Sequence, residues 1–531
     1  MNQSPRVAYL YHSRILFIPL VGTILYKLQL YLFEKGLVNI VYVSRKENKL
    51  RDKLLSGISN KTNYVVCRSV KIGRIFEKVK SEKILDVDNT NYSKLTQEEN
   101  YSLMWTLTFS DSITTETKKS LNDFIPENFP IKKTIIIPYN DSFDVVCDYI
   151  FQTAKILANQ GNIVYLVTIG NPISMLKYLF GRNQREKASR QNFFADNNII
   201  VVQPPTLFPF RLLKIKLIAT INKRYTLFYI TRFIKFIRSD LIWCFDPADI
   251  ELVKHLHKSV TTIYDCVDYF STLDQDINKK IQRDEKSLLK HVDFFFVNSH
   301  ALRIAKSQIR KPDSVVPQGF DLDTFTSEGL LTNQEKREVQ TLEKIFRKIP
   351  KPIVGFIGNL TYRLDFKLLN SIITALPKVS FVFTDAFLPM PQDDKFVSTE
   401  ALIKQIKQLK NAYLIPKTIS RKVVKRIIKE FDIGMIPYDT SYDFNKYCYP
   451  MKLFEYFYIG IPVISTPIEE LKRFSKFVKI GNDYKEWKSH IKYLLSQPWP
   501  HNYHKEQLKL AAKNSWNNKV SQILKFVLNH H

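Results

Sequence analysis

The chain has 531 residues, 45% of them hydrophobic and 24% charged, and its 79 Lys and Arg against 51 Asp and Glu give a formal net charge of +28. This length and composition exclude a disordered chain and a single small core, and imply two or three ordered domains. The five cysteines (Cys67, Cys147, Cys244, Cys266, Cys448) are scattered with no pair at metal-ligand or redox spacing, which argues for a reducing compartment and against a disulfide framework or a structural zinc.

The first residues lack the cationic start, apolar run and cleavage site of a secretory signal. The apolar stretch 15–26 is interrupted by Pro19 and Gly22 and falls short of the roughly 20 residues that span a bilayer. The expectation is a cytoplasmic protein, with any membrane contact peripheral, on the inner face of the plasma membrane. Runs at 7–11, 39–43 and 64–67 read as strands and 25–35 and 47–55 as helices, so residues 1–128 are expected to form an accessory α/β module whose role is unreadable. The polar stretch 86–100 and the Ser/Thr-rich run 110–120 read as loop and linker.

From 134 to 317, apolar runs at 134–137, 163–168, 199–202, 241–245, 261–264, 294–297 and 314–316 alternate with helical stretches. A second series follows at 353–357, 380–384, 413–415, 433–437, 463–465 and 478–480. Such alternation predicts parallel sheets with helices on both faces. The expected organisation is a first Rossmann-like domain over 129–325, a charged linker over 326–350, a second Rossmann-like domain over 351–500 and a closing helical segment over 501–531.

Within 211–239 lie eight basic residues and no acidic one, interleaved with Leu217, Ile221, Phe228 and other apolar residues. This predicts a basic amphipathic helix pair, suited either to an anionic membrane surface or to an ordinary solvated helix face.

The most informative stretch is CYPMKLFEYFYIGIPVISTP at 448–467. Pro450 suits the first position of a helix over 451–459, and Gly460 with Pro462 stops it before a buried strand. Lys452 and Glu455, three apart, share one face of its first turn, where free N–H groups and the positive end of the dipole attract phosphate. A cation and a carboxylate placed there suit the phosphates and ribose hydroxyls of a nucleotide.

This run resembles the nucleotide-sugar site of GT-B glycosyltransferases, most closely the family 4 group (glycosyl transferases group 1), among them enzymes of teichuronic acid and exopolysaccharide synthesis. Three other stretches agree in order: YDCVDYF at 264–270 followed by VDFFFVNS at 292–299; PQGFDLDTF at 317–325, with Gln318 where the family usually has Asn; and IVGFIGNLTYRLD at 353–365. The resemblance implies an α/β protein of the GT-B fold: two Rossmann-like doubly wound parallel-sheet domains facing a cleft, here with an N-terminal α/β extension. It further implies a nucleotide-sugar-dependent hexosyltransferase that moves a sugar from a UDP- or GDP-sugar co-substrate to a glycan or lipid-linked acceptor in bacterial cell-surface polysaccharide synthesis. In the family the closing helix often crosses back onto the first domain.

The same resemblance places the site residues. Glu455 is expected to bond the donor ribose, although a carboxylate at a helix start also serves as a cap. Lys452 and Arg363 are the cations expected at the diphosphate, on or beside a loop opened by Gly358 and Asn359, with Arg363 otherwise a surface residue. Asn359 stands at the position where the family carries Arg. Tyr447 stands where the family's retaining members carry a second Glu that contacts the donor sugar, so either Tyr447 or Asp443 replaces it, or the sugar contacts differ. Retention or inversion is therefore left open. Tyr438 either lines the cleft after its strand or makes a turn.

Asp268 is the candidate for acid–base work on the acceptor hydroxyl, with Asp265 the alternative; either is equally well a helix cap. Tyr139, Asn140 and Asp141, after the first strand of the first domain, are expected on the acceptor side. Asp321 and Asp323, like Asp86 and Asp88, make a D-x-D pattern but sit in a motif or before a loop, so no metal or other cofactor is expected. No P-loop or G-x-G-x-x-G is present. No nucleic acid is expected as partner, while a catalytically silent sugar-nucleotide-binding partner, an epimerase of the same fold and a basic nucleic-acid-binding protein are the competing functions.

Overall fold

A computed structural model describes residues 7–9, 40–43, 64–67, 84–86, 133–139, 148–168, 173–174, 199–202, 205–206, 215–237, 239–256, 260–272, 274–326, 331–358, 360–361, 363–385, 401, 403–416 and 421–530. By its internal contacts the chain divides into two compact units, one of 1–146, 157–242 and 255–260, the other of 147–156, 243–254 and 261–531.

The first unit opens with a four-stranded parallel sheet in simple sequential order, formed by β1 (Val7–Tyr9), β2 (Ile40–Val43), β3 (Tyr64–Cys67) and β4 (Ile84–Asp86). Three of these were expected; β4, at three residues, is too short for a periodicity signal and ends at Asp86, the first residue of the stretch expected as loop. The helices expected at 25–35 and 47–55 lie outside the described residues.

A seven-stranded sheet comes next. Its strands are β5 (Thr134–Tyr139), β6 (Ile163–Thr168), β8 (Ile199–Val202), β10 (Leu241–Cys244), β11 (Thr261–Cys266), β12 (Phe294–Val297) and β13 (Ser314–Val315), and the printed pairs are parallel. Two-residue strands β7 (Ile173–Ser174) and β9 (Pro205–Thr206) pair separately. The order β8-β6-β5-β10-β11-β12-β13 reverses direction between β5 and β10, as in a doubly wound sheet. Because helices cover both faces of such a sheet, its strands read as continuous apolar runs: Ile135–Ile137, Ile242, Trp243, Ile263, Tyr264, Phe295 and Phe296 are all fully buried. Within 211–239 the described residues form one helix, Lys216–Ile237, and not a pair. Neither Gly nor Pro interrupts the sequence there, so nothing breaks the helix.

The second unit also carries a six-stranded parallel sheet of β14 (Ile353–Phe356), β15 (Ser380–Asp385), β16 (Ala412–Pro416), β17 (Ile433–Ile436), β18 (Val463–Ser465) and β19 (Val478–Ile480), ordered β16-β15-β14-β17-β18-β19. Numbered within the sheet, this is the 3-2-1-4-5-6 order of a dinucleotide-type fold, with its switch point between β14 and β17. The expected linker contains the Asn333–Phe346 helix, opened by a Thr332–Glu335 capping box.

The closing segment is two helices, His501–Lys513 and Trp516–His530, where one continuous periodicity was expected. They separate at Ser515, which bridges to Phe320, while the Trp516 amide donates to the Phe320 carbonyl. The last helix lies against β11 and β12: Phe526 meets Phe294 and Phe296 edge to face, and Lys519 Nζ is 2.9 Å from Asp265 Oδ1. Both members of that ion pair are fully buried. Removing the cation strands a buried carboxylate, a change that costs about 3–5 kcal/mol where such pairs have been broken. Lys519→Met is therefore expected to lower the thermal midpoint of the full chain markedly, and adding Asp265→Leu to recover much of the loss.

Candidate functional site

Doubly wound sheets bind ligands outside the carboxyl ends of their strands, at the switch point. In the six-stranded sheet that point lies between the loop after β14, which holds Gly358 and Arg363, and the loop after β17, which holds Tyr438. Backbone bonds zip the two loops together: Leu364 bridges to Tyr438, the Asp365 amide donates to the Pro437 carbonyl, and the Asp439 amide donates to the Arg363 carbonyl. Asn445, 1% exposed, locks the join from the side by donating to the Arg363 and Asp439 carbonyls and accepting from Arg363 Nε at 2.9 Å. The Arg363 guanidinium is thereby held between two rings, 4.6 Å from the centroid of Tyr438 and 4.4 Å from that of Phe444.

The Lys452–Ile459 helix enters the same place. Met451 is its N-cap, so Pro450 precedes the helix and does not open it, and Gly460 stops it in the left-handed region with φ 81°. Lys452 Nζ donates to the Tyr438 hydroxyl at 3.2 Å and lies 5.4 Å from the Phe356 ring. Its side chain runs over Gly358, where a Cβ would stand 2.6 Å from Lys452 Cε and where φ is +141°. Only glycine fits that position. The Gly358 amide donates to Thr384 Oγ1, which donates back to the Gly358 carbonyl, so this backbone braces the loop where the sequence suggested a phosphate contact. Glu455 sits in the first helical turn and is 5% exposed. Asn359 lies outside the described residues.

The YDCVDYF motif reaches the same unit from β11. Asp265 lies within the strand and is consumed by Lys519, which removes it as a candidate for proton transfer. Burial raises its carboxyl against the opposing pull of Lys519. Asp268 lies beyond the strand end, half-buried. Desolvation pushes its pKa from 3.8 up to about 6, with the positive charge of Arg363 working in the other direction. The Cys448 thiol, raised to about 12 by burial, has Arg363, Asp268 and Lys452 as its charged neighbours. The structure thus brings Asp268, Arg363 and Lys452 around one buried thiol, with Tyr438 against both cations.

Tyr447 ends the short Asp443–Lys446 helix and stacks on Tyr269. Tyr139 closes β5 with its side chain 2% exposed, so its ring is core, while Asn140 and Asp141 lie outside the described residues. Asp321 accepts from Gln152 and from the Thr324 amide, a structural role. Among the described residues no group of three or more His, Cys, Asp or Glu side chains gathers as a metal site. Sequence reasoning missed Asn445, Thr384 and Tyr269. Asn445 and Thr384 brace backbone through contacts distant in sequence, which no local pattern signals.

No family model matches the sequence. The chain is similar to a Bacillus subtilis protein named as the teichuronic acid biosynthesis glycosyltransferase TuaH, 23% identical over 301 residues that cover 54% of this chain and 71% of that protein. Among solved structures it is similar to Anabaena Alr3699/HepE in complex with UDP, at TM-score 0.54 and 12% identity over 75% of this chain and 100% of that one. Sucrose-phosphate synthase from Thermosynechococcus elongatus superposes at TM-score 0.55 and 12% identity, over 75% of this chain and 99% of that one. Together with the two doubly wound sheets, these likenesses show that the chain has the GT-B glycosyltransferase fold.

Proposed function

We propose that this protein is a nucleotide-sugar-dependent glycosyltransferase that transfers a sugar to a glycan or lipid-linked acceptor in bacterial cell-surface polysaccharide synthesis. The observation that carries the reading is the convergence of Lys452 and Arg363 at the switch point of the six-stranded sheet, beside a carboxylate whose pKa is about 6. The similar HepE has been solved with UDP and with UDP-glucose, and the similar TuaH is named for polysaccharide synthesis.

Glycosyl transfer requires that the departing diphosphate be stabilised as its charge grows. Arg363, fixed by Asn445 and two rings, and Lys452, fixed by Tyr438, supply that charge without reorganising. Glu455 holds the ribose hydroxyls at the buried end of the site. Asp268 takes the proton of the acceptor hydroxyl as the new glycosidic bond forms.

If the cations hold the diphosphate, UDP, GDP or ADP should stabilise the protein in a thermal-shift panel, by about 2.7 kcal/mol at 100 times the dissociation constant. Loss of a charge-assisted hydrogen bond costs about 1.5–3 kcal/mol, so Lys452→Met and Arg363→Met should each weaken binding of the preferred diphosphate by about 10–100-fold. Affinity unchanged in both variants would remove the assignment.

The raised pKa of Asp268 sets a pH limb. Below about 6 the carboxyl is protonated and cannot accept a proton, so kcat/KM should fall about tenfold per pH unit there and level off above it. Asp268→Asn should lower the rate by about 10²–10⁴-fold and flatten the limb. A limb that persists in the variant would assign it to another group.

The proposed reading extends to the bilayer. On the Lys216–Ile237 helix Leu217, Ile221 and Phe228 are 69%, 36% and 57% exposed, and with Arg224 they fall on one helical face. Lys216 and Lys223, also exposed, share a second face of the helix, and the first turn carries no acidic residue. Exposed apolar side chains among cations suit the headgroup region of an anionic membrane, which is where lipid-linked acceptors reside. None of the described helices is long and apolar enough to cross a membrane. Vesicles containing phosphatidylglycerol should sediment the protein far better than phosphatidylcholine vesicles, and Leu217→Ser with Phe228→Ser should abolish the difference; equal sedimentation with both lipids would contradict the membrane role.

A further inference from the structure

Asp268 stands on the loop that leaves β11, two residues past the strand's end. The register of β11 and β12 ends with Cys266 opposite Val297, and the Asn298 amide just beyond donates to the Cys266 carbonyl at 3.3 Å. Past that rung, side chains do the work of a ladder. Asn298 Nδ2 donates to the Val267 carbonyl and, at 3.3 Å, to Gln318 Oε1, which ties the loop after β11 to the chain after β13. Cys266 Sγ lies 3.3 Å from the carbonyl oxygen of Asp268 itself. Asn298 is 1% exposed and Cys266 is fully buried.

The thiol acts as a donor because its surroundings keep it protonated. Burial raises its pKa, and the Glu285 carboxylate adds to the rise, with Lys306 opposing. Glu285 Oε1 is 3.8 Å from the sulfur and accepts the Tyr264 hydroxyl at 3.0 Å, while Oε2 accepts the Lys306 ammonium at 2.6 Å. The Asp268 carbonyl is the nearer acceptor for the thiol proton. Lys306 also lies 4.2 Å from the centroid of the Tyr269 ring, on which Tyr447 stacks, so the residue after Asp268 is held as well.

The Val267 carbonyl belongs to the peptide plane before Asp268, and the Asp268 carbonyl to the plane after it. A peptide unit is planar, so fixing the planes on both sides of one Cα fixes its φ and ψ, and with them the direction of its Cα–Cβ bond. Building on the reading of Asp268 as the group that takes the acceptor proton, we propose that Asn298 and Cys266 are its positioning residues: they clamp the two flanking peptide planes and so aim its carboxylate. Both are buried away from substrate and act on the reaction only through Asp268. A general base must come within about 2.6–3.2 Å of the group whose proton it takes, and a misplacement of about 1 Å can cost about 100-fold. The amide is the stronger arm of the clamp, because a thiol is a weak donor.

The test follows release of UDP from UDP-glucose, UDP-galactose and UDP-N-acetylglucosamine with water as acceptor. It compares wild type, Asn298→Ala, Cys266→Ala, Cys266→Ser, Asp268→Asn and the double variant Asn298→Ala with Asp268→Asn, and adds crystal structures of the first four. The clamp predicts that Asn298→Ala lowers kcat by about 100-fold and Cys266→Ala by about tenfold, while UDP affinity by calorimetry stays within about twofold. Cys266→Ser, whose hydroxyl donates to the same carbonyl, keeps kcat within about threefold of wild type. Once Asp268 is Asn, Asn298→Ala costs nothing further, because the group it aims is gone. In the crystals the Asp268 carboxylate shifts by about 1 Å in the alanine variants and stays in place in the serine variant. Unchanged kcat in both alanine variants, parallel losses of kcat and UDP affinity, or a full effect of Asn298→Ala in the Asp268→Asn background would overturn the proposal. If Asn298→Ala does not fold, the two Cys266 variants decide. Wild type that releases no UDP from any of the three would fail one step earlier, at the donor-site reading, and the place of the carboxylate in the crystals would then decide the clamp.

Discussion

Two cations have to be kept close together, and the loops after β14 and β17 are built around that demand. Like charges repel, and a flexible Lys or Arg at a sheet edge would turn to solvent. Here Arg363 is pinned by Asn445 and sandwiched by Tyr438 and Phe444, and Lys452 is tied to the Tyr438 hydroxyl while crossing Gly358. Tyr438 serves both: its ring face meets one cation and its hydroxyl the other. Aromatic faces offset part of the repulsion between the two cations.

The first-domain motif shows the opposite economy. Asp265 and Asp268 stand three residues apart in one motif, yet one is locked in a buried pair and the other sits half-buried with its pKa near 6. The difference is the end of β11. Asp265 is within the strand and meets the closing helix, whereas Asp268 lies two residues past the strand's last residue, Cys266. The Lys519 pair anchors the last helix on β11, and that anchoring holds the strand from which Asp268, the carboxylate proposed for proton transfer, hangs. In the proposed reading, stability and chemistry are divided between two identical side chains by position alone.

Strands were legible wherever apolar runs were bounded by polar or turn residues: Ile163–Thr168, Ile199–Val202, Phe294–Val297 and Val463–Ser465 have the bounds their sequence implies. Helix continuity was less so. The break at Ser515 is imposed by pairing with Phe320, a contact no helical periodicity encodes. At the candidate site, Lys452, Glu455 and Gly358 stood out because each lies in a motif with a strand–helix context. The role of Asp265 could not, because its partner lies 254 residues away. Nor could the Tyr269–Tyr447 stack, in which two motifs supply one ring each.

The most direct measurement is a crystal structure of the protein with UDP. The account predicts the diphosphate between Lys452 Nζ and the Arg363 guanidinium, with the ribose hydroxyls on Glu455. A diphosphate bound away from both cations, or a ribose turned from Glu455, would contradict it.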